Sequence, residues 1–363
     1  MALRKGKEDN ITEILKLIAP GTPIREGIEN ILRARTGALL LITDKPEIIK
    51  EVVDGGFSIN EDYTSSKLYE LAKMDGAIVL SGDLKKILYA NAQLIPSHTI
   101  TTLETGTRHR TAERTAKQTG ELVISISQRR SIITIFKGND RYVLEDAEVV
   151  LNKANQAIQT LEKYKKVFDN KLNILNEYEF NDIVTLQNVI EAIQRAEMVM
   201  KIVEEIQRQI SELGSDGRLV KMQLEELIGG LEKEENLIIK DYMVPGKGKN
   251  QRTPETIIEN LENLDYEELS RENVIAKLLG YGTFDNYDEV GVYTKGYRIL
   301  NKVPRMPSNI VENLVDSFKS FQHILAADIE SLDEVEGIGE IRARTIKQSL
   351  KRMQEQFIFD NLI

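Results

Sequence analysis

Apolar positions along the chain follow two different periods. Up to about Glu145, short apolar runs alternate with stretches of helical spacing. Leu39-Leu40-Leu41-Ile42, Ala77 to Leu80, Leu122 to Ile126 and Ile132 to Phe136 read as buried strands. Thr22-Pro23 opens a helix, since Pro at the first helical position loses no needed hydrogen bond. Leu68, Leu71 and Ala72 give Ser65 to Met74 the spacing of another helix. Turn residues punctuate the runs at Ser81-Gly82-Asp83, Gln128-Arg129-Arg130 and Gly138-Asn139-Asp140, and the strands flanking Gln128 to Ser131 form a hairpin. The pattern predicts an α/β domain with a mixed sheet over 1–145.

From Asp146 onward the period changes. Leu186, Val189, Ile193, Ala196, Met200 and Val203 recur at steps of three or four, which makes one face of a long helix. Gly214-Ser215-Asp216-Gly217 interrupts the stripe, and a second helix over Arg218 to Lys240 folds back on the first. An all-α spine is therefore expected over 146–287, with Gly246 to Thr253 as a hinge, and a helical C-terminal domain over 288–363. Pro245-Gly246-Lys247-Gly248-Lys249 lacks the GxxxxGK[ST] spacing of a phosphate loop, and no strand precedes it.

The length of 363 residues fits two or three domains. A net charge of −10 argues against DNA coating the whole surface, so any nucleic-acid footprint must be local. The absence of Cys excludes disulfides and thiolate metal sites and suits a reducing cytosol. No apolar run reaches membrane-spanning length, and Met1 to Asn10 is polar with no apolar stretch of signal-peptide type after it. A cytoplasmic protein without membrane contact is expected.

Two segments carry chemistry. Asp75-Gly76-Ala77 joins a helix to a strand, and a carboxylate followed by glycine at a strand edge lets a ligand approach the backbone. Thr105-Gly106-Thr107-Arg108-His109-Arg110-Thr111 runs into a helix for which Thr107 or Thr111 would serve as N-cap. A helix N-terminus with two arginines and a histidine suits phosphate. His98, His109 and His323 are not spaced as a zinc site, and no Ser-His-Asp arrangement is legible. A carboxylate beside a basic phosphate cradle instead suggests hydrated Mg²⁺ or Mn²⁺.

Leu68 to Ala77, with Gly106-Thr107-Arg108-His109-Arg110 following, closely resembles the diadenylate cyclase domain. With the helical spine over 146–287 and Val335-Glu336-Gly337-Ile338-Gly339 near the C-terminus, the whole chain resembles the bacterial DNA-integrity-scanning cyclases. The resemblance implies condensation of two ATP into cyclic di-AMP with release of two pyrophosphates. It gives Asp75 the metal and the activation of the 3′-hydroxyl. Arg108, His109 and Arg110 contact phosphates, with Thr107 and Thr111 beside them. Gly76, Ala77 and Leu94 line the nucleotide pocket, and Ser127 and Arg130 approach from the hairpin. Because each ATP is both nucleophile and electrophile, two sites must face each other, and the family solves this with paired domains within an octamer.

Val335-Glu336-Gly337-Ile338-Gly339 resembles the hairpin of a helix-hairpin-helix, a small turn whose N–H groups can meet a DNA phosphate. Gly337, Ile338 and Gly339, with Arg342, Arg344 and Lys347 on the following helix, are the candidate DNA contacts. Val303-Pro304-Arg305-Met306-Pro307 is a degenerate counterpart without the glycines. Phosphate contacts carry no base code, so recognition should follow DNA shape, such as a four-way junction. The competing reading is a non-enzymatic DNA-structure-binding repair protein whose N-terminal domain only senses nucleotide. Asp75 discriminates against it, because a pure binder needs no carboxylate beside a phosphate cradle.

Overall fold

A computed structural model describes residues 10–129, 132–246 and 252–360. The described chain divides into two compact units, one formed by 10–156 with 206–222 and the other by 157–205 and 223–360.

In the first unit α1 (Asn10–Leu17) and α2 (Pro23–Arg33) precede β1 (Ala38–Ile42) and α3 (Pro46–Val52). Next come β2 (Val53–Asp54), β3 (Phe57–Asp62), α4 (Ser65–Leu71), β4 (Ala77–Leu80) and β5 (Lys86–Leu94). The domain closes with α5 (Thr107–Thr119), β6 (Leu122–Ile126), β7 (Ile133–Lys137) and β8 (Asp140–Leu144). The sheet runs β2-β5-β4-β1-β6-β7-β8, with β3 also on β5. Among the described residues only β1 and β4 pair in parallel, so the sheet is mixed as expected.

All five residues of β1 are buried because helices cover both faces of the sheet. Ala38, Leu40 and Ile42 pack with Leu15, Ile28 and Leu68 on one face. Leu39 and Leu41 pack with Val52, Ala112 and Ala116 on the other. That two-sided burial explains why the central strands read as unbroken apolar runs. The expected helix at Thr22-Pro23 is α2, capped by the Thr22 hydroxyl accepting from the Arg25 N–H at 3.3 Å. Strands β3 and β5 carry Asn60 and Asn91 in left-handed conformation and pair with register shifts, so no clean alternation marks them in the sequence.

A helical strut belongs to the same unit. The Tyr142 hydroxyl donates to Glu212 at 2.7 Å, and the Ser215 N–H donates to the Pro20 carbonyl at 3.1 Å. Gly214 has φ +51, and a Cβ there would lie 2.5 Å from that same carbonyl oxygen, which accounts for the break at Gly214.

The remaining elements are helical: α6 (Ala147–Asn181), α7 (Leu186–Leu213), a 3₁₀ turn (Gly214–Gly217), α8 (Arg218–Leu227) and α9 (Leu231–Tyr242). They continue through α10 (Pro254–Glu262), α11 (Tyr266–Leu269), α12 (Glu272–Leu279), α13 (Tyr297–Leu300) and α14 (Ser308–Phe318). The last three are α15 (Phe321–Ala326), α16 (Ile329–Asp333) and α17 (Glu340–Asp360). The single helix expected over Arg218 to Lys240 is two, because Gly230 takes φ +86 between α8 and α9. The anticipated hinge falls mostly at 247–251, outside the described residues. No described helix is long and apolar enough to cross a membrane.

Within the second unit, α13 to α17 share one core with Phe180 at the end of α6. Beside it lies a buried charged network. Arg298 is fully buried and pairs with Glu179; its Nη1 donates to Asn176 at 2.6 Å. The Tyr242 hydroxyl donates to Glu179 at 2.7 Å. Asp241 accepts the N–H groups of Gly296, Tyr297 and Arg298 at 2.7, 2.6 and 3.0 Å. Burial pushes the Asp241 carboxyl up to about 7, with the neighbouring Glu179 charge adding to the effect. Removing one member of a buried pair strands the other charge in a low-dielectric site. Arg298→Met should therefore destabilise this unit by about 3–5 kcal/mol. Chemical denaturation followed by tyrosine fluorescence and circular dichroism measures it, and a loss below about 1 kcal/mol would mean that the network adds nothing.

Candidate active site and DNA-binding hairpin

The strand registers bring the candidate nucleotide residues to one end of the sheet. Leu39 is opposite Ala77, Ala38 is opposite Ile126, and Ala77 is opposite Ala92. Residues just beyond these pairs therefore form a row: Leu94, Asp75, Gly37, Ser127 and Ile132. The Ser127 N–H donates to the Ile132 carbonyl at 2.9 Å, which closes the hairpin at that end. Two strand spacings separate Asp75 from Ser127, or roughly 10 Å.

Asp75 and Gly76 are exposed, Ala77 is buried at the start of β4, and Leu94 is 7% exposed within the core on the α5 face. Gly76 is required first by the protein's own backbone. Its φ is +112, and a Cβ would lie 2.8 Å from the Ala92 carbonyl oxygen. Gly37, which the sequence alone did not single out, matters for another reason. A Cβ there would lie 2.1 Å from Arg108 Nη1, so the guanidinium occupies the space that the missing side chain leaves.

Helix α5 starts at this sheet end because its direction opposes β6. Its N-cap is Gly106, with no side-chain cap bond, whereas Thr107 and Thr111 both lie inside the helix. The expected threonine cap is thus replaced by glycine, which has no side chain to bond the first N–H groups. Arg110 and Thr107 are exposed, while Arg108, His109 and Thr111 are half-buried.

The preceding loop is strapped to α5. Thr102 donates to the buried carboxylate of Glu113, and the Lys117 ammonium donates to Glu113 at 2.7 Å and to the Thr101 carbonyl at 3.1 Å. Arg114 Nε donates to the Ile100 carbonyl at 2.9 Å. Burial pushes the Glu113 carboxyl up, but bonds from Lys117 and Thr102 and the lysine charge bring it net below the usual carboxylate range. The strapped loop then forms one wall of a cavity of about 540 Å³. Of the candidate nucleotide residues, Thr107, Arg108, His109 and Ser127 line it. Glu104, Arg129, Thr134, Arg141 and Val143 line it too and were missed. Thr134 and Val143 are cross-strand neighbours on β7 and β8, a pairing with no local signal in the sequence. Asp75, Gly76 and Leu94 do not line this cavity; they lie farther along the row. Arg130 lies outside the described residues. No cluster of three metal-ligating side chains occurs among the described residues.

At the C-terminal hairpin, Gly337 has φ +83 and a Cβ there would lie 2.5 Å from Ile310 Cδ1, so its glycine serves the fold. Ile338 is 6% exposed and anchors the hairpin in the core. Gly339 is exposed with open space around it. The cations are partly committed. Arg342 donates to the Gly337 carbonyl, Arg344 pairs with Glu340 at 2.6 Å, and the Lys347 ammonium donates to the Leu325 and Ala327 carbonyls at 2.7 and 2.5 Å. Arg305 in the upstream hairpin takes φ +58, the left-handed conformation that Gly337 has in the second.

A mixed-sheet nucleotide domain, a helical spine and a helix-hairpin-helix module define a cyclase joined to a DNA-binding domain. The family model described as "DisA bacterial checkpoint controller nucleotide-binding" matches residues 25–141. The "DisA bacterial checkpoint controller linker region" matches 144–287, and the "SAM-like Helix-hairpin-helix tandem" matches 297–352. The chain is 53% identical to the DNA integrity scanning protein DisA of Clostridium botulinum (strain Loch Maree / Type A3) over 99% of this chain and 100% of that protein. It is 53% identical to DisA of Clostridioides difficile (strain 630), over 98% of each chain. Identity to DisA of Carboxydothermus hydrogenoformans is 55%, over 96% of this chain and 98% of that protein. The chain belongs to the DisA family, and it is a diadenylate cyclase.

The two glycines should separate cleanly by experiment. Gly37→Ala should displace Arg108 and weaken ATP binding about tenfold with only a modest loss in melting temperature, because the hardest clash falls on the flexible end of a side chain and the Ile126 carbonyl oxygen, 3.0 Å from the new Cβ, need shift only slightly. Gly76→Ala should instead cost roughly 1–3 kcal/mol of stability, because its backbone is strained. Calorimetric ATP titration and thermal melting of both variants check this; a reversed pattern would contradict these assignments.

Proposed function

We propose that this cyclase condenses two ATP molecules into cyclic di-3′,5′-AMP and two pyrophosphates, and that branched DNA at its C-terminal hairpin regulates the output. The observation that carries the reading is the row at the sheet end, which sets the exposed carboxylate of Asp75 two strands from Ser127, where a cavity lined by Arg108 and Arg129 opens.

Attack of the 3′-oxygen of one ATP on the α-phosphorus of the other forms an O–P bond and breaks the bond to pyrophosphate. Positioning and charge stabilisation dominate such an in-line displacement. Asp75 accepts the proton of the attacking 3′-hydroxyl. Arg108, His109 and Arg110 hold the phosphates with the uncapped N–H groups of α5, and Thr107, Thr111, Ser127 and Arg130 complete the cradle. Gly76, Ala77 and Leu94 face the nucleoside. A lone carboxylate suits a divalent cation such as Mg²⁺ or Mn²⁺ that takes its other ligands from substrate phosphates and water. Bound there by Asp75, the cation would supply charge neutralisation at the α-phosphate. Because Asp75 is a single carboxylate serving one ATP, a complete reaction centre needs a second cyclase domain face to face. The assembly we favour is an octamer in the cytoplasm.

Asp75→Asn should abolish cyclic product, with folding and DNA binding intact. Incubation with ATP and Mn²⁺ or Mg²⁺ followed by mass analysis reads this, and near-normal turnover would remove Asp75 from the mechanism.

The exposed Gly339 gives a cleaner DNA test than Gly337, whose replacement would disturb the core. Gly339→Leu should leave melting nearly unchanged, yet block close approach of a phosphate. Four-way-junction binding should weaken and lose part of its salt dependence, since fewer counterions are released. Basal cyclase activity should persist while inhibition by the junction disappears. Equal inhibition of the variant and the parent protein would mean that the DNA signal enters elsewhere.

A further inference from the structure

The far end of the active-site cavity holds a charged pair that the proposed mechanism does not use. Arg141 projects from β8 opposite Phe136 on β7, on the same sheet face as Thr134 and Val143. Its Nε meets Glu104 at 2.5 Å, and both residues line the cavity. Arg141 is about half exposed, whereas Glu104 is 16% exposed and held in the loop strapped to α5. The Glu104 N–H also donates to the Thr102 hydroxyl at 3.1 Å, one step from the Glu113 anchor. The carboxylate is therefore fixed, while the arginine has a long stem and solvent on one side.

The direction of the cavity matters here. From the row at the sheet end it passes Arg108 and Ser127 and continues along β7 and β8 toward Arg141. In the cyclase reading, a nucleotide whose α-phosphate meets Arg108 beside Gly37 would direct its terminal phosphates into that arm. A dianionic or trianionic phosphate group outcompetes a single carboxylate for a guanidinium, because it offers more charge and a matching fork of oxygens. An anion cavity that also contains a fixed carboxylate weakens the hold on whatever anion it accepts.

We propose that Arg141 exchanges Glu104 for the terminal phosphates of bound ATP, and that Glu104 then competes with the departing pyrophosphate for the same arginine. This rests on the cyclase reading and assigns the arm to the leaving group. Arg141 is a binding residue for the β- and γ-phosphates, and Glu104 is a positioning residue that promotes product release.

Inorganic pyrophosphate and AMP serve as separate calorimetric probes on the full-length protein, with Arg141→Gln and Glu104→Gln compared with the parent chain. Arg141→Gln should weaken pyrophosphate binding about tenfold or more, in keeping with the loss of a charge-assisted contact, and leave AMP within about twofold. It should raise KM for ATP more than it lowers kcat. Glu104→Gln should do the reverse for pyrophosphate, binding it several-fold tighter and making the cyclase more sensitive to product inhibition. Arg141→Lys keeps the charge without the fork and should fall between Arg141→Gln and the parent. Unchanged pyrophosphate affinity in Arg141→Gln would overturn the assignment, and unchanged affinity in Glu104→Gln would overturn the competition. Pyrophosphate binding is read without turnover, so failure here leaves the cyclase reaction standing. Absence of cyclic product from the parent protein would instead refute the reaction itself.

Discussion

Parallel pairing of β1 with β4 at the centre of the sheet decides which residues meet at one end of the N-terminal domain. Two parallel neighbours must begin at the same edge, so the segments that lead into them, Gly37 and Asp75-Gly76, become neighbours across the sheet. Strand β6 runs the other way beside β1 and ends at that edge, which adds Ser127. Helix α5, antiparallel to β6, begins there and brings Arg108 over the bare backbone of Gly37. Backbone pairing alone therefore collects residues that are up to ninety positions apart in the chain (Gly37 and Ser127). Reversing either central strand would scatter them to opposite edges.

Charge is used differently in the two units. In the cyclase domain, Arg108, Arg129 and Arg141 line an open cavity. In the other unit Arg298, Glu179 and Asp241 are removed from water, and their hydrogen bonds tie α6 and α9 to the start of α13. A buried pair of this kind contributes little net energy but penalises arrangements that separate its members. It thereby fixes the ends of α6 and α9 against the helix-hairpin-helix core. The basic residues of α17 show the same division. Lys347 is committed to two carbonyls, and Arg344 is paired with Glu340, so the exposed backbone at Gly339 is the least encumbered part of the hairpin.

The apolar runs of β1, β4, β6 and β7 and the long stripe of α7 were legible in the sequence because burial on both faces of a sheet, or along one face of a helix, imposes a composition on neighbouring residues. The same holds for Asp75-Gly76-Ala77, Gly106 to Arg110 and Val335 to Gly339, where local backbone form and local chemistry coincide. Strands β3 and β5 were not legible, since bulges and left-handed asparagines break their alternation. Helix α5 was foreseen, but its cap was misplaced, because a glycine can cap by conformation without a side-chain signature.

By itself, the sequence determined the order of the α/β, spine and hairpin segments and singled out the two candidate motifs, because each depends on residues within one turn or one strand. Only the tertiary structure decided that Gly37 yields its space to Arg108, that Gly76 is demanded by β5, and that Arg141 and Glu104 share the cavity with His109. These relations arise from strand register and helix direction. They are set by pairing between distant segments, which the order of residues along the chain does not express.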